Sequence, residues 1–253
     1  MTLRGLDITR AGSTGVYLEA GSKDNVVEDS TIAFNGYKEV KPEGQPFVIN
    51  GVEFRYQSTG REGIAVDGSR NNIIRRNAQH WERWYGADDN LIENNVITTG
   101  PTGIWVGSRM AENTFPMDCS DPTYVTNPSV ALDEAANNVI RGNALGYLSY
   151  GSRVEDDGTR VEGNTFASGV GPALAVVVGT KYRTTELDRP VEGTVLTANT
   201  ANLPTNSAPF RWIWEHASTT ESANTANGAP SVLIEGTRPP INPFIFAIRI
   251  WTP

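Results

Sequence analysis

The sequence is short of the residues that staple a small fold or carry it into a membrane. Cys119 is the one cysteine in 253 residues, which excludes an intrachain disulfide and any site built from several thiolates, and leaves the redox compartment open. Positive charge is scarce: 21 Lys and Arg stand against 29 Asp and Glu, a net charge of −8, so neither a nucleic-acid footprint nor a polybasic membrane patch is expected. No apolar run approaches the roughly 18 residues of a membrane span. The N-terminal stretch from Met1 to Ile8 lacks the charged-then-apolar layout of a signal peptide. Long helical periodicity is missing as well, because 25 Gly and 15 Pro interrupt nearly every candidate window. Charge runs and low-complexity tracts are absent too, so the chain is expected to fold, as one large domain or two small ones.

What is present is a repeat. Two apolar residues, two mostly polar or small ones and then Asn recur in Asn72-Ile73-Ile74-Arg75-Arg76-Asn77, Asn90-Leu91-Ile92-Glu93-Asn94-Asn95, Asn138-Val139-Ile140-Arg141-Gly142-Asn143, Arg160-Val161-Glu162-Gly163-Asn164 and Val195-Leu196-Thr197-Ala198-Asn199. Asn25-Val26-Val27-Glu28-Asp29-Ser30 is a copy ending in Ser, and Met110-Ala111-Glu112-Asn113 is a weaker one. The second apolar residues fall at 27, 74, 92, 110, 140, 161 and 196, with gaps of 47, 18, 18, 30, 21 and 35. The short gaps cluster near 20 and the long ones read as turns with insertions. A second phrase lies between the copies: Gly15-Val16-Tyr17-Leu18, Gly63-Ile64-Ala65-Val66 and Gly103-Ile104-Trp105-Val106, each a short period-2 strand.

Short strands, a period of about 18 to 24 residues and Asn at a fixed bend describe one coil of a parallel β-solenoid. An inward Asn at such a bend tolerates left-handed backbone, and its amide can bond the local chain and the Asn of the next coil. These Asn residues are therefore structural. With strands about 4.8 Å apart, eight or nine coils make a rod on the order of 40 Å long.

The phrases NNVIRGN, DNLIENNVI and REGIAVDGSRNNIIRRN resemble the right-handed parallel β-helix repeat family, the pectate-lyase-like superfold that includes NosD-type repeat proteins and mannuronan C5-epimerases. The resemblance covers about residues 3–200. It implies an all-β, right-handed parallel β-helix with a groove along one strand face in which polysaccharide lies, and an extracellular or cell-envelope location. The fold expected is a single domain over 1–253, with regular coils over 1–200 and a loop-rich C-terminal coil and cap over 201–253. Met1–Thr9 already reads as a core strand, so N-terminal coils are expected to be missing, and Pro243–Trp251 is expected to close the distal end. Two family phrases are lacking. No Asp-Pro-His-Asp of the epimerases occurs, and Arg238-Pro239-Pro240-Ile241-Asn242-Pro243 lacks the second Arg of the pectate-lyase phrase Arg-x-Pro-x-x-Arg.

Candidate site residues come from what the repeat leaves over. His80-Trp81-Glu82-Arg83-Trp84-Tyr85, between two copies, is expected to form a turn projecting from the cylinder, with Trp81 and Trp84 as sugar-stacking platforms. A self-packed loop over an adjoining coil is the structural alternative. Arg61 and Asp67 flank the strand Ile64–Val66, Arg109 follows the strand bearing Trp105, a third substrate-binding platform, and Ala65 and Trp105 should share an outer face. In a lyase or epimerase acting on uronic acids, Arg61, Arg83 or Arg109 would neutralise the carboxylate, His80 or Tyr85 would move the proton, and Asp67 or Glu82 would orient them. Arg61 and Asp67 also suit an ordinary surface pair. A glycoside hydrolase would instead pair Asp67 with Glu82 or Glu112, and a non-catalytic glycan-binding or scaffold module needs none of these roles. Asp118 and Asp121 beside Cys119 offer two oxygens to a Ca²⁺ ion, which takes six to eight, so the loop reading stands ahead of the calcium one. Phe210–His216 is expected as an end-cap strand with Trp212 and Trp214 on one face. Polysaccharide is the partner expected; the oligomeric state has no signal.

Overall fold

The computed structural model describes residues 1–11, 14–19, 21–33, 35, 37–39, 47–49, 52–54, 56–58, 63–67, 69–79, 82–85, 87–107, 136–167, 174–179, 183–184, 190–202, 211–213, 217–230 and 233–235. Met110–Phe115, Asp118–Asp121 and Pro243–Trp251 lie outside these residues. No α-helix occurs among those described; the chain winds as a parallel column with three strand faces.

The first face is an eight-stranded parallel sheet built from Thr2–Arg4, Val26–Glu28, Ile73–Arg75, Leu91–Glu93, Val139–Arg141, Arg160–Glu162, Thr194–Thr197 and Thr219–Ser222. One strand per coil gives eight coils. The second face follows each of these after a two-residue corner: Asp7–Thr9, Thr31–Ala33, Ala78–Gln79, the start of Val96–Gly107, the start of Ala144–Glu155, Thr165–Ala167, Thr200–Asn202 and Thr225–Ala226. The third face stacks Val16–Leu18, Ile64–Asp67, Glu82–Tyr85, the ends of the two 12-residue strands, Leu174–Val178, Arg211–Ile213 and Leu233–Glu235.

The middle residue of each first-face strand points inward. Val27, Ile74, Ile92, Ile140, Val161 and Leu196 occupy one register row and are fully buried. Each such burial is worth about 1.5–3 kcal/mol, which is why the repeat keeps two apolar residues where a strand needs only one facing in. Ile32, Ile97, Leu145 and Phe166 line the second face, and Ile64, Ile104, Val66, Val106, Val154 and Val178 the third.

Asn stacks flank the first face on both sides. At its leading edge the Nδ2 of Asn25, Asn72 and Asn90 each donates to the Oδ1 of the next Asn, at 2.9, 2.8 and 3.0 Å, ending at Asn138. At its trailing edge Asn77, Asn95, Asn143, Asn164, Asn199 and Asn224 form the longer stack, with Ser30 below. Each amide of the trailing stack also takes a backbone N–H and donates to a carbonyl, as Asn143 does to Ile92 at 3.0 Å. Left-handed backbone is carried elsewhere than expected. The positive φ belongs to the residue before the stacked Asn, Arg76 (54°), Asn94 (55°), Gly142 (63°), Gly163 (60°) and Ala198 (54°) among them. The stacked Asn is thus relieved of strain, and the chain spends Gly, Asn or even Arg on the bend.

One insertion is described. Tyr37–Glu39 pairs with Tyr56–Ser58, and Phe47–Ile49 with Val52–Phe54, both antiparallel. This nested hairpin interrupts the second coil between its second and third faces and accounts for the longest gap in the repeat.

Candidate functional site

The outward rows differ in chemistry from face to face. On the first face Arg4, Glu28, Arg75, Glu93, Arg141 and Glu162 succeed one another in register and pair along the row. On the second, Asp7, Thr31, Ala78, Val96, Ala144, Thr165, Thr200 and Thr225 make a row with a single charge, at its first coil. The third carries Tyr17, Ala65, Arg83, Trp105, Arg153, Val177, Trp212 and Ile234 in one row, and Asp67, Tyr85, Gly107 and Glu155 in the next outward row. Among the described residues, only this face sets aromatic residues beside both signs of charge.

Asp67, Arg83, Tyr85 and Trp105, four of the residues picked out in the sequence, thus hold register positions on two neighbouring rows, spread over three successive coils. Ala65 and Trp105 share a register row, with Arg83 between them, and both are buried.

Trp105 is outward in register yet only 7% exposed, so it is not the open platform expected. The guanidinium carbon of Arg153, in the next coil, lies 4.1 Å from its ring centroid, a cation–π stack. Arg153 Nη2 donates to Glu155 Oε1 at 2.6 Å, and both residues are buried. Arg183 closes over this corner: its Nη1 donates to the Glu155 carbonyl at 3.0 Å and its Nη2 to Asp157 Oδ2 at 3.2 Å. A cation held this way is pre-oriented, since its fork is fixed by a carboxylate and a ring together. Gly151 makes room for the strand: a Cβ there would fall on the Phe166 ring and the Ala175 carbonyl.

Behind this strand, Asp156 is fully buried at the end of the leading Asn stack. Its Oδ2 accepts from Asn138 Nδ2 and from Thr159 Oγ1, each at 2.7 Å, while its Oδ1 has no hydrogen bond. Burial outweighs these two bonds and pushes its pKa up to about 7.

The structure revises part of the sequence reading. Residues 82–85 do not project as a turn; they form a strand of the third sheet. Glu82 takes the register position of Ile64 and Ile104, and Trp84 that of Val66 and Val106, rows whose other members are buried in the core. Period-2 alternation fixes this, because a strand centred on Arg83 and Tyr85 assigns their neighbours to the opposite face. Arg61, His80, Trp81, Arg109 and Glu112 lie outside the described residues, as do Asp118 and Asp121. Among the described residues no group of three or more His, Cys, Asp or Glu is placed to hold a metal ion.

Arg153, Glu155 and Arg183 went unnoticed in the sequence. The first two had a signal: Gly151-Ser152-Arg153-Val154 is a fourth copy of the Gly-led strand phrase, disguised because Ser152 stands where the other copies have Val or Ile.

A column of parallel coils with Asn-stacked corners and one mixed aromatic and charged face defines a β-helix protein of the solenoid class. The chain belongs to the right-handed β-helix family, whose model for the right-handed β-helix region matches residues 1–186. Among solved structures it is similar to the Dettilon tailspike protein, at 16% identity and a TM-score of 0.59, with 87% of this chain and 39% of the tailspike covered. It is also similar to an alginate lyase from Paenibacillus sp. str. FPU-7, at 14% identity and a TM-score of 0.50, with 91% of this chain and 80% of the lyase covered. The chain spans about two fifths of the tailspike's length. Likeness at these identities is a likeness of fold. No curated protein matches the chain.

Proposed function

We propose that the third face binds a polysaccharide and processes it by proton abstraction, as a lyase or C5-epimerase acting on uronic-acid sugars. The observation that supports this reading is the register that sets Asp67, Arg83, Tyr85 and Trp105 on two neighbouring rows of three successive coils, beside the buried Arg153–Glu155 pair. A sugar chain laid along the row would meet a guanidinium, a phenol and a carboxylate within neighbouring coils, spaced about 4.8 Å apart. The cation's role is to neutralise the sugar carboxylate as charge builds on it, while Tyr85 takes the C5 proton. In elimination the C5–H electron pair forms the C4=C5 bond, the C4–O bond breaks and the leaving oxygen is protonated. In epimerisation a proton returns to C5 from the opposite side. An extracellular or cell-envelope setting goes with such a substrate, and the alginate lyase and tailspike likenesses are in keeping with it.

Incubation with uronate polymers tests this, with ultraviolet absorbance reporting new C=C bonds and NMR reporting inverted C5 centres. Arg83→Ala and Tyr85→Phe are each expected to lower turnover about 100-fold or more, with the circular dichroism spectrum unchanged. Undiminished turnover in both would remove the assignment. A second reading, a glycan-binding module without turnover, is favoured by one feature: Arg153 already has its carboxylate in Glu155. Retained binding with no product across the panel would support that reading instead.

A further inference from the structure

The leading Asn stack breaks off partway along the column. Up to the fifth coil each step is carried by an amide, and the last of them, Asn138, meets the carboxyl of Asp156, in the corner over residues 156–159 that turns the chain into the sixth coil. Beyond it the row runs on as Thr159, Thr194 and Thr219. A hydroxyl is too short to span the roughly 4.8 Å between coils, and the Oγ1 atoms of Thr194 and Thr219 are buried without a hydrogen bond. Asp156 itself has nothing polar above it in register, because Val191, fully buried, holds the matching position in the next corner.

The charges at this corner do not balance. Glu155, Asp156 and Asp157 are consecutive, and two guanidiniums serve them: Arg153 pairs with Glu155, and Arg183 reaches the Glu155 carbonyl and Asp157 Oδ2. Asp157 Oδ1 accepts the Glu192 backbone N–H at 2.8 Å. The remaining charged groups on the elements packed here are Arg160, paired with Glu162, Glu192 itself, and Asp88, whose Oδ1 accepts from the Ala136 backbone. Among the described residues no cation pairs with Asp156; Oδ2 has only Asn138 and Thr159, and Oδ1 has nothing. A neutral carboxyl is tolerated in such a place, and a third carboxylate is not.

We propose that this corner is a proton-operated joint: with Asp156 neutral the seventh and eighth coils are fastened to the rest of the column, and with it ionised they open on their own. Each coil of a solenoid touches only its neighbours, so a fault at one corner is not averaged over the whole core. What still crosses beyond Thr159 is the backbone ladder, with Val195 N–H to the Thr159 carbonyl at 2.9 Å and Gly158 N–H to the Glu192 carbonyl at 2.8 Å, and the trailing stack through Asn199. The leading edge therefore parts first, and the trailing amides act as the hinge. Opening lets the carboxyl return from its raised pKa, about 7, to its ordinary range, so opening is favoured as pH rises towards 7 and levels off above it. The joint is independent of what the third face binds.

Amide hydrogen exchange of the full chain, followed by mass spectrometry between about pH 5 and 8 and corrected for the intrinsic rate, tests this. Residues 193–202 and 217–226 should open about tenfold more per pH unit up to near pH 7 and then hold steady, while residues 69–79 and 87–97 should not respond. Asp156→Asn, which cannot ionise, should keep the low-pH protection throughout. Thr159→Val keeps the shape and removes the hydroxyl that favours the charged form, so its levelling point should move to higher pH. Distal exchange that ignores pH, a response shared equally by all the described coils, a response that survives in Asp156→Asn, or a levelling point unmoved in Thr159→Val would each overturn the proposal.

Discussion

The first and third faces are built from the same coils and obey different rules. On the first, every described strand is three or four residues long, its corners are one left-handed residue and one stacked Asn, and its outward charges cancel along the row. On the third, strands run from 3 to 12 residues, the nested hairpin precedes Ile64, and one register row holds Ala, Arg, Trp and Val in no order. The difference is one of constraint. Where a ladder of amides must close coil after coil, composition is pinned, and where it need not, the scaffold is open to side chains chosen for other ends.

That contrast can be broken most severely at the trailing Asn stack. Asn143→Ala removes two donated and two accepted buried hydrogen bonds, taking the acceptor from the Asn95 backbone N–H and one of two from its side-chain amide. A loss of about 3–5 kcal/mol is expected in urea unfolding, with no comparable effect from an exposed third-face change such as Tyr17→Ala.

Asp156 tests whether the leading stack is as well satisfied as the trailing one. Its folded pKa, about 7, stands above the ordinary 3.8, so the native protein holds a proton that the unfolded chain releases. Stability from this group is therefore full below pH 4 and declines as pH rises towards 7. Asp156→Asn should flatten that decline and raise stability at pH 8 by roughly 2–4 kcal/mol in thermal or urea melts. A wild-type profile unchanged by the substitution would show that another group sets it.

Arg153→Met keeps length and removes the cation over Trp105. Glu155 then loses the Arg153 guanidinium while staying buried, and a cost of about 2–3 kcal/mol with altered tryptophan fluorescence is expected. Smallest of all is Arg160→Gln, an exposed first-face residue in register with Val139. Its pair with Glu162 is open to solvent, so the unfolding midpoint should shift by less than about 1 kcal/mol in equivalent free energy.

Legibility in the sequence followed the same division. Asn77, Asn95, Asn143, Asn164 and Asn199 announce the trailing stack because hydrogen-bond geometry tolerates few substitutes there. The leading stack was less plain, since it passes from Asn138 to the Asp156 carboxylate. The Gly-led phrase located the third face through Gly63 and Gly103. It did not reveal that Glu82–Tyr85 is a strand, because Trp81 and Trp84 sit where its sisters have Gly and Val. The nested hairpin of residues 37–58 was unread because its pairings are antiparallel and local, with no counterpart in the repeat. Arg183 carried no signal, since its contacts depend on a chain return unrelated to the coil period.

A crystal structure of the protein soaked with a uronate oligosaccharide tests the central claim most directly. Sugar density is expected over the row of Ala65, Arg83, Trp105 and Arg153, with a carboxylate at a guanidinium and C5 near Tyr85. An ordered oligosaccharide confined to the second face, with the third face bare, would contradict the account.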